Sequence, residues 1–99
     1  MLECIGGVKI GDCVAIGSNF IISSSEHISK DTSKLIKDQG LKSLPVAIGN
    51  NVWIGARVTI LMGVKISNNS IIGAGSLVNK DIPDNVVAAG VPAKIIRKR

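Results

Sequence analysis

Val46-Ala47-Ile48-Gly49-Asn50-Asn51-Val52-Trp53-Ile54-Gly55-Ala56-Arg57-Val58-Thr59-Ile60 repeats one pattern every six residues: aliphatic, variable, aliphatic, then a short turn. The triplet continues at Val64-Lys65-Ile66 and stands upstream as Val8-Lys9-Ile10 and Val14-Ala15-Ile16. Ile10, Ile16, Ile22 and Ile28 are six apart, and after an interruption so are Ile48, Ile54, Ile60, Ile66, Ile72 and Val78. In an extended strand the outer two residues of each triplet point one way and the middle residue the other. Gly follows the second aliphatic at Gly11, Gly17, Gly49, Gly55 and Gly73. Glycine reaches left-handed dihedrals without steric cost, so each reads as a corner.

A six-residue period sustained over this length is not a helix face. The turns also lack two-residue hairpin chemistry. A chain turning the same way every six residues closes a triangle after three sides, and successive triangles stack at about 4.8 Å. The expected fold is therefore all-β, a parallel β-helix around a dry Ile/Val prism whose coils bury their core only against each other. The pattern fails between Ile28 and Ile48. With one six-residue step retained, about fourteen residues are expected to leave the coil, as a polar projecting loop over 31–44 that ends at Pro45. Past Val78 the pattern fades. Pro83 and Pro92, which lack ladder donors, predict a closing segment over 83–99.

Composition agrees with strands. Apolar residues make up 45% of the 99, yet there is one Phe, one Trp and no Tyr. The core must come from Ile and Val, which favour strands. The length sets a single domain, 1–99. No run approaches the ~18 apolar residues of a membrane span and no segment reads as a secretory leader, so a cytoplasmic location is expected. Cys4 and Cys13 form neither a metal spacing nor a disulfide framework, so free thiols and no metal are expected. The net charge of +5 raises the question of nucleic acid. Lys9, Lys30, Lys34, Lys37, Lys42, Arg57, Lys65 and Lys80 are scattered and have no interleaved aromatics for base stacking, which argues against it. Lys94, Arg97, Lys98 and Arg99 do cluster, as a solvated tail or as a grip on phosphates.

Three stretches carry a family resemblance: 45–55, then Ile72-Gly73-Ala74-Gly75-Ser76-Leu77-Val78-Asn79-Lys80-Asp81-Ile82-Pro83, then Ala89-Gly90-Val91-Pro92-Ala93-Lys94. As a set they resemble the hexapeptide-repeat acetyltransferases, in the branch of galactoside, maltose, nodulation-factor and polysaccharide O-acetyltransferases. The resemblance covers nearly the whole chain. It implies a left-handed coil, an exception to right-handed crossovers. It also implies a homotrimer, with acetyl-CoA as acyl donor in a groove between neighbouring prisms, and a sugar or cell-surface polysaccharide as acceptor. Outward middle residues Ile21, Trp53, Ile71 and Leu77 would leave apolar surface on a single chain, in keeping with assembly.

Acyl transfer from a thioester to a hydroxyl needs a base, a site for the oxyanion and two substrates held together. Histidine is the usual base at neutral pH. His27 is the one histidine, in Ser23-Ser24-Ser25-Glu26-His27, where the repeat gives way to the loop. A lone surface histidine carries no assignment by itself; the resemblance implies that His27 is the catalytic base. Glu26 is directed away from it if the strand is extended. Trp53, a triplet middle, points out of the prism as a pocket wall or a trimer contact, and the resemblance puts it by the acyl and pantetheine site. It implies cofactor contacts for Ala56 and Ala74 as well. Some relatives carry Ser where this chain has Ala56, which leaves the thioester oxygen to a backbone N–H. Asn79, Lys80, Lys94 and Arg97 match positions at the adenosine end and its phosphates, which their charge suits. Neither cysteine has a histidine beside it in sequence, so direct transfer is expected rather than an acetyl-enzyme.

Sugar acetyltransferases of this branch carry a long upstream segment that supplies an acidic residue and an Asn to the acceptor. This chain begins about where the last third of such a protein would, so its matched residues belong to the acetyl-CoA half of the site. Two other readings compete. One is N-acetyl transfer to an amino sugar or an antibiotic. The other is a non-catalytic β-helix trimerisation module, against which the presence of His27 and the basic tail both count.

Overall fold

The computed structural model describes residues 2–3 and 7–99. In chain order the strands are β1 (Leu2–Glu3), β2 (Val8–Ile10), β3 (Ala15–Ile16), β4 (Ile21–Ser23), β5 (Ser25–His27), β6 (Leu41–Ser43) and β7 (Val46–Ile48). Then follow β8 (Trp53–Ile54), β9 (Thr59–Ile60), β10 (Lys65–Ile66), β11 (Ile71–Ile72), β12 (Leu77–Val78), β13 (Val86–Gly90) and β14 (Ala93–Lys98). Among the described residues the one helical element is a 3-10 turn at Ile36–Asp38. Among the described residues no helix is long and apolar enough to cross a membrane.

The strands form a left-handed prism with three faces. Face A is β1-β4-β9-β12, face B is β2-β7-β10, and face C is β3-β8-β11-β13-β14. Within the prism neighbours are parallel and partners are 18 residues apart, as in Ala47↔Lys65, Trp53↔Ile71 and Thr59↔Leu77. The inward positions Val46, Ile48, Val52, Ile54, Val58, Ile60, Val64, Ile66, Ile72 and Val78 form one buried core, as the six-residue pattern predicts. Ser70 and Ser76 take two inward positions. Each satisfies its hydroxyl locally, with Oγ donating to Ser67 O at 2.6 Å and to Gly73 O at 2.7 Å. Ile10 and Ile16 face inward by the same pattern but stay 43% and 40% exposed, because the described residues cover them from one side only. Of the outward middles, Ile21 and Trp53 are exposed, and Ile71 and Leu77 are half-buried.

The corners differ from the expectation. Left-handed φ falls not on the glycine after each triplet but two residues later, at Cys13, Asn19, Asn51, Arg57, Gly63, Asn69 and Gly75, with φ between 54° and 77°. Asn suits these corners because its short polar side chain tolerates that region. The post-triplet glycines answer to space. A Cβ on Gly17 would stand 2.6 Å from Ala56 N, and one on Gly55 would stand 2.7 Å from Ala74 N. One corner is laced by side chains: Asp12 N–H donates to Asn50 Oδ1, Asn50 N–H to Asn68 Oδ1 and Asn68 N–H to Asp84 Oδ1, at 2.7–2.8 Å.

The interruption is longer than the spacing predicts. Across it partners are 38 residues apart rather than 18, as in Val8↔Val46, Ala15↔Trp53 and Ile21↔Thr59, so twenty residues leave the coil. They form an arm over 25–44, closed at its neck where Leu44 N–H donates to Ser24 O at 3.0 Å. Ile28 matches the six-residue spacing by coincidence. It is 38% exposed, and its N–H pairs with Gly40 O at 3.0 Å in the arm. β5 and β6 are antiparallel, with Ser25↔Ser43, Glu26↔Lys42 and His27↔Leu41 opposite one another. At the far end the coil runs on past Val78: Ile82 bridges Ile66, and Ala88 is fully buried. The chain then reverses into the antiparallel pair β13/β14, a hairpin that the fading pattern did not reveal.

Candidate functional site

The arm carries His27, exposed at the end of β5 and beyond the corner where face A gives way to face B. A hollow of about 270 Å³ lies there, lined by Glu26, His27, Ile28, Ser29, Lys30 and Lys42. Leu41 stands directly across the hairpin from His27. The pairing of Glu26 with Lys42 puts both on the opposite side of the hairpin from His27, in line with the expectation that Glu26 does not orient the imidazole.

Trp53 stands on face C, 58% exposed, in a row that runs Ala15, Trp53, Ile71, Val87. β14 adds Arg97 opposite Val87 and Lys94 opposite Ala89. Three residues apart, Lys94 and Arg97 would point to opposite sides of a regular strand. The register shift between Val87 and Ala88 sets Ile95 opposite Ala88 and Arg97 opposite Val87, so Ile96 is the extra residue of a bulge. The bulge returns Arg97 to the side of Lys94, and both share the outward side of face C with Trp53. Three strand spacings, about 14 Å, separate Trp53 from Arg97 along this row. A shallow hollow of about 130 Å³ beside Trp53 includes Cys13, Ala15, Ile71 and Arg99.

Ala56 and Ala74 stack at the corner between faces C and A, where Gly75 N–H donates to Ala56 O at 2.8 Å. Small residues at this corner leave backbone groups open to close approach. Asn79 and Lys80 follow β12 at the corner between faces A and B, above the arm's root. Within one chain the predicted residues therefore fall into two sets. Trp53, Ala56, Ala74, Lys94 and Arg97 lie on face C and its corner with A, while His27, Asn79 and Lys80 lie a full prism face away. Of the cysteines, Cys13 is an exposed free thiol and Cys4 lies outside the described residues. Among the described residues no three His, Cys, Asp or Glu side chains gather into a metal site. Lys42 comes opposite Glu26 through a hairpin register that the repeat does not signal.

The comparisons with known proteins bear on the family and the fold. The family model "Bacterial transferase hexapeptide (six repeats)" matches residues 45–80. Galactoside O-acetyltransferase of Escherichia coli K12 is 53% identical over 91 residues, which are 92% of this chain and 44% of that enzyme. A solved galactoside acetyltransferase in complex with coenzyme A superposes with a TM-score of 0.90 at 49% identity, over 98% of this chain and 48% of that one. A maltose O-acetyltransferase from Clostridium difficile 630 gives a TM-score of 0.72 at 30% identity, over 98% of this chain and 70% of that one. The chain spans less than half the length of the galactoside O-acetyltransferases that it matches. With the repeat, the left-handed prism and these likenesses together, the chain belongs to the hexapeptide-repeat acetyltransferases.

Proposed function

We propose that this chain transfers an acetyl group from acetyl-CoA to a hydroxyl of a sugar or cell-surface polysaccharide, at a site completed between neighbouring chains of a homotrimer. The imidazole of His27 accepts the hydroxyl proton as the oxygen attacks the thioester carbonyl. A backbone N–H at the Ala56 corner holds the oxyanion. Collapse expels the CoA thiolate, which recovers the proton from the imidazolium, and the products are an acetyl ester and CoA. Trp53 and Ala74 flank the pantetheine arm, and Lys94, Arg97, Asn79 and Lys80 hold the adenosine end and its phosphates.

The observation that carries this reading is the division of the residues. His27, on an arm that leaves the prism, has Asn79 and Lys80 on its side, and the row of Trp53, Lys94 and Arg97 is a face away, so a second chain set alongside would bring the two sets together. Identity of 53% with a galactoside O-acetyltransferase supports the reaction, and the coenzyme A complex of a structural neighbour supports the donor. The exposed free thiol of Cys13 fits a reducing cytoplasm.

The test is release of free CoA from acetyl-CoA across a panel of sugars, alongside sedimentation. Release that depends on the acceptor, from a species of three chains, is the expected result. Acetyl-CoA binding without release on any acceptor would reduce the chain to a binding module. A stable monomer of 10.3 kDa would remove the shared site.

A further inference from the structure

We infer that Arg99 is a positioning residue for the cofactor row: its two bonds to the corner between faces B and C hold the peptide group on which the Arg97 guanidinium rests. The inference rests on the proposed reading of Arg97 as a contact to the phosphates of CoA.

Arg97 is weakly held by its own strand. β14 is the outermost strand of face C, so β13 alone pairs with it. The bulge at Ile96 divides that pairing. On one side Gly90↔Ala93, Ala89↔Lys94 and Ala88↔Ile95 hold Lys94 in the middle of a run. On the other side only Val87↔Arg97 and Val86↔Lys98 remain before the strand ends. A bulge interrupts the ladder, and strand ends fray. Two pairs beyond a bulge are a poor mount for a guanidinium that must meet a phosphate at a fixed place.

Arg99 supplies what the pairing lacks. Its N–H donates to Asn85 O at 2.8 Å, and its Nη1 donates to Asn69 O at 3.0 Å. Both acceptors belong to left-handed corner residues, with φ of 59° and 62°. Both corners are tied to the coil below: Asn85 N–H donates to Asn68 O at 3.1 Å, and Asn69 N–H to Asn50 O at 3.0 Å. Arg99 thus grips two successive coils of the prism. Its N–H shares one planar peptide group with the Lys98 carbonyl. Fixing the N–H on Asn85 fixes that carbonyl, and Lys98 O accepts from Arg97 Nη1 at 3.2 Å. The line from corner to guanidinium is therefore continuous, through Arg99 and the peptide of Lys98 to Arg97. Lys94, on the other side of the bulge, has no part in it.

The experiment is a calorimetric titration of the full chain with CoA, in a set of alanine variants. Arg99→Ala keeps the backbone N–H and removes the guanidinium, so CoA should bind about threefold weaker, the worth of one exposed hydrogen bond. That loss should vanish in the Arg97→Ala background and persist in the Lys94→Ala background, because Arg99 acts through Arg97 alone. NMR order parameters of the amides at 97–99 should fall in Arg99→Ala, while those at 93 and 94 hold. The same loss in the Arg97→Ala background would mean that Arg99 meets the phosphates directly or by its own charge, which overturns the inference. Unchanged order at 97–99 overturns it as well. If Arg97→Ala weakens CoA binding and Arg99→Ala does not, the inference falls alone. If Arg97→Ala itself leaves CoA binding unchanged, the reading of Arg97 falls and takes the inference with it.

Discussion

The prism and the arm obey different rules, though one short neck joins them. In the prism between Val46 and Val78 every inward aliphatic is buried, and the coils within this stretch pair with one another at a spacing of 18 residues. Its sequence is dictated by geometry: a buried inward pair, a glycine where the next coil passes too close, and an Asn or Gly at every positive-φ corner but Arg57. On the arm Ile28, Leu35, Ile36, Leu41 and Leu44 are all substantially exposed, and the 3-10 turn buries nothing. Packing fixes little there. The prism sets distances, and on the proposed reading the arm supplies the base, His27.

The comparison breaks first at His27. His27→Ala should lower turnover by about two to four orders of magnitude. Because the side chain is exposed on the arm, thermal stability should stay within about 0.5 kcal/mol of the parent. A large loss of stability on His27→Ala would erase the distinction between scaffold and arm.

Ile60→Ala is the mirror case. Ile60 is fully buried between Ile22 and Val78 on face A, so its truncation should cost about 2–5 kcal/mol in chemical unfolding. Leu35→Ala on the arm should cost a small fraction of that. Equal costs for the two would show that the arm packs as tightly as the prism.

The smallest effect sharpens the picture of the arm's tip. Ser33 Oγ–H and N–H donate to Asp31 Oδ1 at 2.6 and 2.9 Å. The hydroxyl first, and the N–H second, hold the Asp31 carboxyl below its ordinary value. A lowered carboxylate contributes above its unfolded value and loses that contribution as acid protonates it in the fold. The Ser33 amide resonance should therefore hold its position at neutral pH and shift as acid protonates Asp31. Ser33→Ala removes the hydroxyl and keeps the N–H, so it should move Asp31 part of the way back toward the ordinary carboxylate range, as read by carboxyl NMR.

How much of this was legible follows the same division. Val46 to Val78 announces the prism because the coil repeats one solution every six residues, and Trp53 is outward by alternation alone. The arm's length was misread because Ile28 falls on the period by accident, and only the 38-residue register shows that twenty residues have left the coil. The left-handed corners were misplaced by two residues, since glycine is equally useful for positive φ and for tight space, and here it serves the second. Lys94 and Arg97 are visible as a basic cluster, but their shared side depends on the bulge at Ile96, which no spacing announces. Lys42 stands opposite Glu26 through hairpin pairing that the residues of the arm do not encode in any period.

The central claim is that one chain's arm completes the cofactor row of another, and a mixing experiment tests it most directly. His27→Ala chains and Lys94→Ala/Arg97→Ala chains are each purified, then unfolded and refolded together. The account predicts that the mixture regains acetyl transfer that neither variant shows alone, because some interfaces then pair an intact arm with an intact row. Activity in the mixture no higher than in the separate variants, with mixed assemblies confirmed by mass, would contradict a site shared between chains.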